Sequence, residues 1–317
     1  MSTLASLPLF DQLQNAKSVL IAGAGGGFDV YAGLPLYLSL KSQGKSVRLA
    51  NLSFTYLGGT DAVQLDPVTY EVRASTKGEE QYCPERLLCQ WLELRGDSSS
   101  VFAFSKCDVR SLREAYRRLV EWFSVDAIVL VDGGTDILMR GDEAGLGTPA
   151  EDMCSLAAVA PLEVAQKFVL CLGFGIDAFH GVCHAHFLEN VAELAKDGAF
   201  LGAFSVLSSM SEGKAFIDAV DFANARMPER PSIVNGSIAA AVKGEFGDVQ
   251  FTERTAGSEL FINPLMALYW AFELGAVASR VQYLSLIEES ESIFDVHARI
   301  RAFRSGVRAR ERRLIPH

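Results

Sequence analysis

Seven apolar runs of strand length recur along the chain, each separated from the next by a stretch long enough for a helix. They are 18–22 (SVLIA), 46–50 (SVRLA), 101–104 (VFAF), 126–131 (DAIVLV), 168–172 (FVLCL), 199–207 (AFLGAFSVL) and 281–287 (VQYLSLI). Several are continuous and β-branched where a half-exposed strand would alternate, as expected when both faces of a parallel sheet are covered. Helical patterns fall at 33–43, 84–95, 109–123, 182–196, 212–226 and 263–277. In one of them, Leu112, Ala115, Tyr116, Leu119 and Phe123 share a helical stripe. Strand and helix signals in alternation predict an α/β fold, a Rossmann-like doubly wound and mostly parallel sheet with helices on both faces. At 317 residues the chain can bury a core without disulfide or metal staples. Residues 1–294 are expected to form one α/β domain, and 295–317 a basic C-terminal helix.

Charge is distributed unevenly. The net charge is −10, yet residues 295–317 hold seven arginines against two acids, leaving the rest at −15. An acidic body argues against nucleic-acid binding by bulk charge. In the basic end, Val296, Ile300, Phe303 and Val307 form a stripe, with Arg299, Arg301, Arg304, Arg308 and Arg310 around it. That pattern predicts a helix docking on its own acidic body or on a sister subunit, and a homo-oligomer is expected. Six cysteines without a C-x-x-C pair give no disulfide framework. The N-terminal stretch has no basic start followed by an unbroken apolar run, and no window of 18 apolar residues exists. A cytoplasmic protein with no membrane association is the expectation.

Four unusual loops follow strand signals, where parallel α/β sheets bind ligands. The first, GAGGGFD at 23–29, sets Gly23, Gly25, Gly26 and Gly27 ahead of a helix. Such glycines let backbone N–H groups approach a phosphate. The strict G-x-G-x-x-G spacing fails at Phe28, and the second strand ends in RLANLSF with no acid for a ribose. A standard dinucleotide fold is therefore disfavoured. Asp29 would repel a phosphate and instead suits a ribose hydroxyl or an ammonium group.

The second loop, 132–152, carries six acids and five glycines in 21 residues. Asp132 and Asp136 begin where a strand ends and are expected to converge on one pocket. Oxygen ligands at this density suit a divalent metal or a polyhydroxylated substrate. Arg140 could hold a substrate carboxylate. Thr148-Pro149-Ala150-Glu151 reads as a capping box opening a helix. The third loop, GFGIDAFHGVCHAH at 173–186, gathers His180, His184 and His186 behind Asp177. The four-residue spacing of His180 and His184 fits one helix face, and so either a metal or acid–base work with Asp177 holding the imidazole. His186 reads as a packed helix residue. In the fourth loop, 252–264, Arg254 is a candidate for a substrate anion. Asn263-Pro264 reads as a helix cap and Asn235-Gly236-Ser237 as a turn.

The stretch GAGGGFDVYAGLPLY resembles the sirtuin nucleotide loop, with Gly23-Ala24-Gly25 and Gly33-Leu34-Pro35 in the matching positions. The chain lacks the other sirtuin segments and the zinc-binding cysteine quartet, so the likeness implies only a Rossmann-like nucleotide loop. More of the chain resembles an uncharacterised bacterial and archaeal family, the domain of unknown function 1152. Its carriers are GAGGGFDVYAGLPLY, VDGGTDILMRGDEAGLGTPAEDM, GFGIDAFHGVCHAHFLEN and INPLMALYW. This resemblance implies a fold and no activity.

These features predict an enzyme that binds a nucleotide or another phosphorylated or polyhydroxylated small molecule. Gly23, Gly25, Gly26, Gly27 and Asp29 would position the cofactor or ligand, and Asp132, Asp136, Arg140 and Arg254 the substrate. His180 would act in acid–base catalysis, assisted by Asp177 and His184, in a hydrolysis or group transfer. Metal candidates are Asp132, Asp136, His180 and His184. The cofactor is left open between a nucleotide such as NAD and a divalent metal. Alternatives are a non-catalytic nucleotide sensor and an NAD-linked oxidoreductase.

Overall fold

The computed structural model describes residues 6–78, 82–257 and 260–315, without the Arg254 side chain. Among the described residues, eleven strands are present: β1 Ser18–Gly23, β2 Ser46–Leu52, β3 Val63–Gln64, β4 Thr69–Val72, β5 Val101–Phe104, β6 Ala127–Asp132, β7 Gln166–Cys171, β8 Phe200–Ser205, β9 Gly247–Asp248, β10 Phe261–Ile262 and β11 Leu268–Glu273. The helices α1 to α6 are Pro8–Leu13, Asp29–Ala32, Leu34–Ser42, Pro84–Leu94, Val109–Phe123 and Pro149–Val159. Those from α7 to α12 are His184–Lys196, Ser211–Arg226, Ile233–Lys243, Leu274–Arg280, Leu284–Ile287 and Ile293–Gly306.

Nine strands form one sheet in the order β3-β4-β5-β2-β1-β6-β7-β11-β8. The centre, β5-β2-β1-β6-β7, is parallel throughout. β11 runs antiparallel between β7 and β8, and β4 antiparallel on β5. The fold is therefore α/β, with a large, mostly parallel sheet of the doubly wound kind. Its two faces are visible within single strands. In β1, Leu20 and Ala22 join one apolar cluster while Val19 and Ile21 join the other. The first cluster takes its helical residues from α5, α6, α7 and α10 to α12, and the second from α1 to α4, α8 and α9. With both faces covered, every residue of β1 and β6 is buried, which is why their runs are continuous in sequence.

Helix α5 forms from the stripe read in the sequence. Asp108 accepts the Ser111 N–H at its N-terminus, and Leu112, Ala115, Tyr116 and Leu119 are buried. Each large side chain so buried contributes about 1.5–3 kcal/mol. Helix α6 is buried from Ala150 to Val159, because α5, α11 and α12 pack over it. Within α12, Val296 and Ile300 are buried. Arg304 donates to the carbonyls of Gly141, Glu143 and Ala144. Arg310, beyond the helix, ion-pairs with Asp142 and Glu189.

Three sequence expectations are corrected. The pattern at 263–277 is no single helix: a 3-10 turn at Pro264–Ala267 leads into β11 and then α10. Leu268-Tyr269-Trp270-Ala271-Phe272 is aromatic enough to fill the slot between β7 and β8, and tertiary pairing overrides its helical spacing. The run at 281–287 is a turn followed by α11, since the sheet is complete without it. Asn235, Gly236 and Ser237, expected as a turn, lie inside α9. There Gly236 leaves room for the Phe251 ring.

Candidate functional site

β1 is flanked by β2 on one side and β6 on the other. The chain leaves β1 in one direction towards β2 and β5, and later in the other towards β6 and β7. The crevice outside the carboxyl ends of β1 and β6 is thus the topological switch point, where open α/β sheets bind ligands. Five aspartates come to this place from separate loops: Asp29 after β1, Asp132 at the end of β6, Asp136 in the turn that follows, Asp152 in the first turn of α6, and Asp177 in the 3-10 turn Ile176–His180 after β7. Asp132, Asp136, Asp152 and Asp177 are buried, and Asp29 is half-buried.

Local backbone holds four of the five. The Gly25 N–H donates to Asp29 Oδ2 at 2.7 Å, and the Thr148 N–H to Asp136 Oδ2 at 2.6 Å. Asp177 Oδ2 accepts from the Thr135 N–H at 2.6 Å and from the Thr135 hydroxyl at 3.2 Å. Asp132 Oδ2 accepts a longer bond, 3.3 Å, from the Ile137 N–H. Glycines make the approach possible. A Cβ on Gly133 would stand 2.8 Å from Asp29 Oδ1, and one on Gly134 would stand 2.9 Å from Asp177 Oδ2 and 3.1 Å from Asp132 Oδ1. One oxygen from each of Asp29, Asp132 and Asp152 lies within 4.8 Å of the other two.

Burial, and then the neighbouring carboxylates, push these groups upward in pKa. Asp132 and Asp152 stand well above the ordinary carboxyl value through burial and the charges of the other aspartates. Asp177 is raised by burial and Asp136, against the pull of the Thr135 N–H. Burial carries Asp29 up to about 7, although the Gly25 N–H favours its charged form. Asp136 is raised by burial, opposed by the Thr148 N–H and by the charge of His180. Carboxyls raised in this way hold their protons to higher pH than ordinary ones, which suits one member to donate while another accepts.

The glycine loop stands in a distinct relation to this cluster. The Gly25 N–H, which would meet a phosphate in a nucleotide loop, is engaged by Asp29, and the Gly27 N–H by the Leu52 carbonyl. Gly26 and Gly27 lie against Phe54, Gly23 against Asn51. At the end of β2, Asn51 donates to the Gly27 carbonyl and to Glu85, whose side chain is fully buried. Glu85 is an acid beside the second strand that the sequence order concealed, because it arrives from α4.

His180 ends its 3-10 turn exposed, near enough for its charge to favour ionised Asp136. His184 does not share a helix face with it, since Gly181 at φ +92° turns the chain before α7 begins. The His184 ring packs on Phe174, with centroids 5.1 Å apart, and burial followed by Arg312 lowers its pKa. His186 is buried and accepts the Ala144 N–H through Nδ1. Arg140 faces away from the aspartates, into ion pairs with Asp142 and Glu193 at 3.0 Å each. The Arg254 side chain lies outside the described residues. Thr148 forms no side-chain cap on α6, and Glu151 pairs with Lys106 instead of closing a capping box; the demand of Asp136 for the Thr148 N–H displaces that arrangement. Asp152 is the member that sequence reading passed over. Its signal was an acid one residue beyond the expected cap, in the buried first turn of a helix.

All six cysteines are free and buried. Among the described residues, no helix is long and apolar enough to cross a membrane. No curated protein matches the sequence. A family model described as "Protein of unknown function (DUF1152)" matches residues 60–307, and the chain belongs to that family.

Proposed function

We propose that the chain is an enzyme that acts on a small hydroxyl-bearing or phosphorylated molecule at the ends of β1 and β6, by hydrolysis or group transfer. The observation that carries this reading is the convergence of five aspartates at the switch point of the sheet, with His180 at the rim. Carboxylates accept hydrogen bonds from substrate hydroxyls and so orient them. Raised pKa values supply both partners of proton transfer. A protonated member of the cluster can protonate a leaving oxygen, and an ionised neighbour can accept the proton of an attacking water or hydroxyl. His180, exposed beside Asp136, suits proton exchange with solvent.

The NAD-linked alternative finds no acid on β2 itself, and the Asn51 amide N–H groups are taken by the Gly27 carbonyl and Glu85. The test begins with native mass spectrometry of freshly purified protein to identify a bound metabolite. Its turnover is then followed by NMR. In His180→Ala, turnover is expected to fall by about 10²–10⁴-fold with affinity nearly retained. Tight binding without any turnover would replace the enzyme by a ligand sensor.

A further inference from the structure

Asp152 Oδ1 is buried and has no hydrogen-bond partner among the described residues. Its residue is 3% exposed, so water does not supply the missing partner freely. A buried carboxylate oxygen left bare pays its full cost of leaving water with nothing in return. The oxygen is aimed at the cluster: a Cβ placed on Gly25 would stand 2.8 Å from it, 2.8 Å from Asp29 Oδ2 and 3.0 Å from Asp152 Oδ2. A small oxygen-lined space therefore lies between Asp29 and Asp152, with Asp132 completing the group within 4.8 Å.

We infer that Asp29, Asp132 and Asp152 form a site for one divalent cation with hard oxygen preference. Ligand oxygens trans to each other stand about 4.2 Å apart across Mg²⁺ and about 4.6–5.2 Å across Ca²⁺, and neighbouring ones stand closer. Three carboxylate oxygens all within 4.8 Å of one another can therefore share one ion of either kind. The cation fills the bare valence of Asp152 and offsets the repulsion among the aspartates. It also changes the substrate chemistry. Five carboxylates repel a phosphate, whereas a cation held by three of them with coordination positions left over can accept phosphate or vicinal hydroxyl oxygens. This deepens the enzyme reading and rests on it for the substrate, but the cation itself is testable without turnover.

The experiment is calorimetric titration of chelator-treated protein with Ca²⁺, Mn²⁺ and Mg²⁺, alongside thermal unfolding with and without each ion. One ion per chain and a raised melting temperature are expected. Asp152→Asn should weaken binding at least about tenfold. Gly25→Ala should do the same with no change of charge, because its Cβ occupies the cradle. Asp142→Asn, in the outer ion pairs with Arg140 and Arg310, should bind like the native chain. No binding of any of the three ions, or equal binding by Asp152→Asn and Gly25→Ala, overturns the site. Cation binding without turnover leaves the site standing and removes the enzyme; turnover with no binding of any of the three ions removes the site and keeps the enzyme.

Discussion

At Asp152, burial and repulsion act in the same direction. The residue sits in the first turn of α6, where the positive end of the helix favours a negative charge. That benefit is smaller than the cost of enclosing its carboxylate beside Asp29, Asp132 and Asp136, which is why the pKa rises. Asn keeps the shape of Asp and removes the charge. Asp152→Asn should therefore stabilise the cation-free protein at about pH 8, where the native carboxyls are under most pressure to ionise. A gain of about 1 kcal/mol raises the melting temperature by about 2 °C in a chain of this size. Calorimetry in chelator decides it. A drop of several degrees would show that Asp152 is held by favourable contacts and would remove the strain assigned to it. Asp177 behaves differently, because Thr135 gives it two hydrogen bonds. Asp177→Asn should therefore gain less, because the Thr135 bonds favour the charged form against burial and Asp136.

Between elements, the loops after β6 and β7 are pressed together, and their contact keeps the aspartates within reach of His180. Gly145 lies with its Cα against the Gly181 carbonyl, so that a Cβ there would collide with backbone. Backbone cannot swing aside as a side chain can. Gly145→Ala should cost about 1–3 kcal/mol, and more in activity than in stability, because the displaced loop carries Asp177 and His180. Parallel assays of urea unfolding and turnover would separate the two; loss of stability with unchanged turnover would mean that the loops do not position the chemistry. The same two loops show what was legible in sequence. β1, β6 and β7 were legible because double-sided burial writes a continuous apolar run. β11 was not, since Leu268–Phe272 also fits a helix and only its neighbours on both sides decide. Asp132 and Asp136 could be found from glycine density behind a strand. Asp152 and Asp29 stand 123 positions apart in the chain, and their meeting depends on where α6 begins relative to β1, which no local pattern records. Pairing of Asp177 with His180 was inferred from proximity along the chain, whereas the fold gives Asp177 to Thr135.

Over the whole molecule, two acidic regions are treated in opposite ways. The outer one, Asp142, Glu143, Glu189 and Glu193, is met by Arg140 of the loop after β6, Arg280 of α10 and Arg310 of the C-terminal segment. Among the described residues, the inner one at the switch point has no arginine or lysine in its hydrogen bonds. The two regions should therefore depend on pH in opposite senses. Asp142 is lowered by Arg140 against the effect of burial, and its contribution is lost only as pH falls through its depressed folded value. The inner aspartates are raised, so the folded chain binds protons that the unfolded chain releases near pH 4. Their contribution is complete below about pH 4 and declines as pH rises, for Asp29 through about 7. The cation-free protein should accordingly melt at progressively lower temperature between about pH 5 and about pH 8. A divalent cation, which replaces those protons, should flatten the decline, and Asp152→Asn should flatten it in part. Differential scanning calorimetry in chelator across this range measures the slope. A melting temperature that climbs with pH would mean that the five carboxyls ionise without penalty, and neither a shared proton nor a cation would then be needed to hold them together.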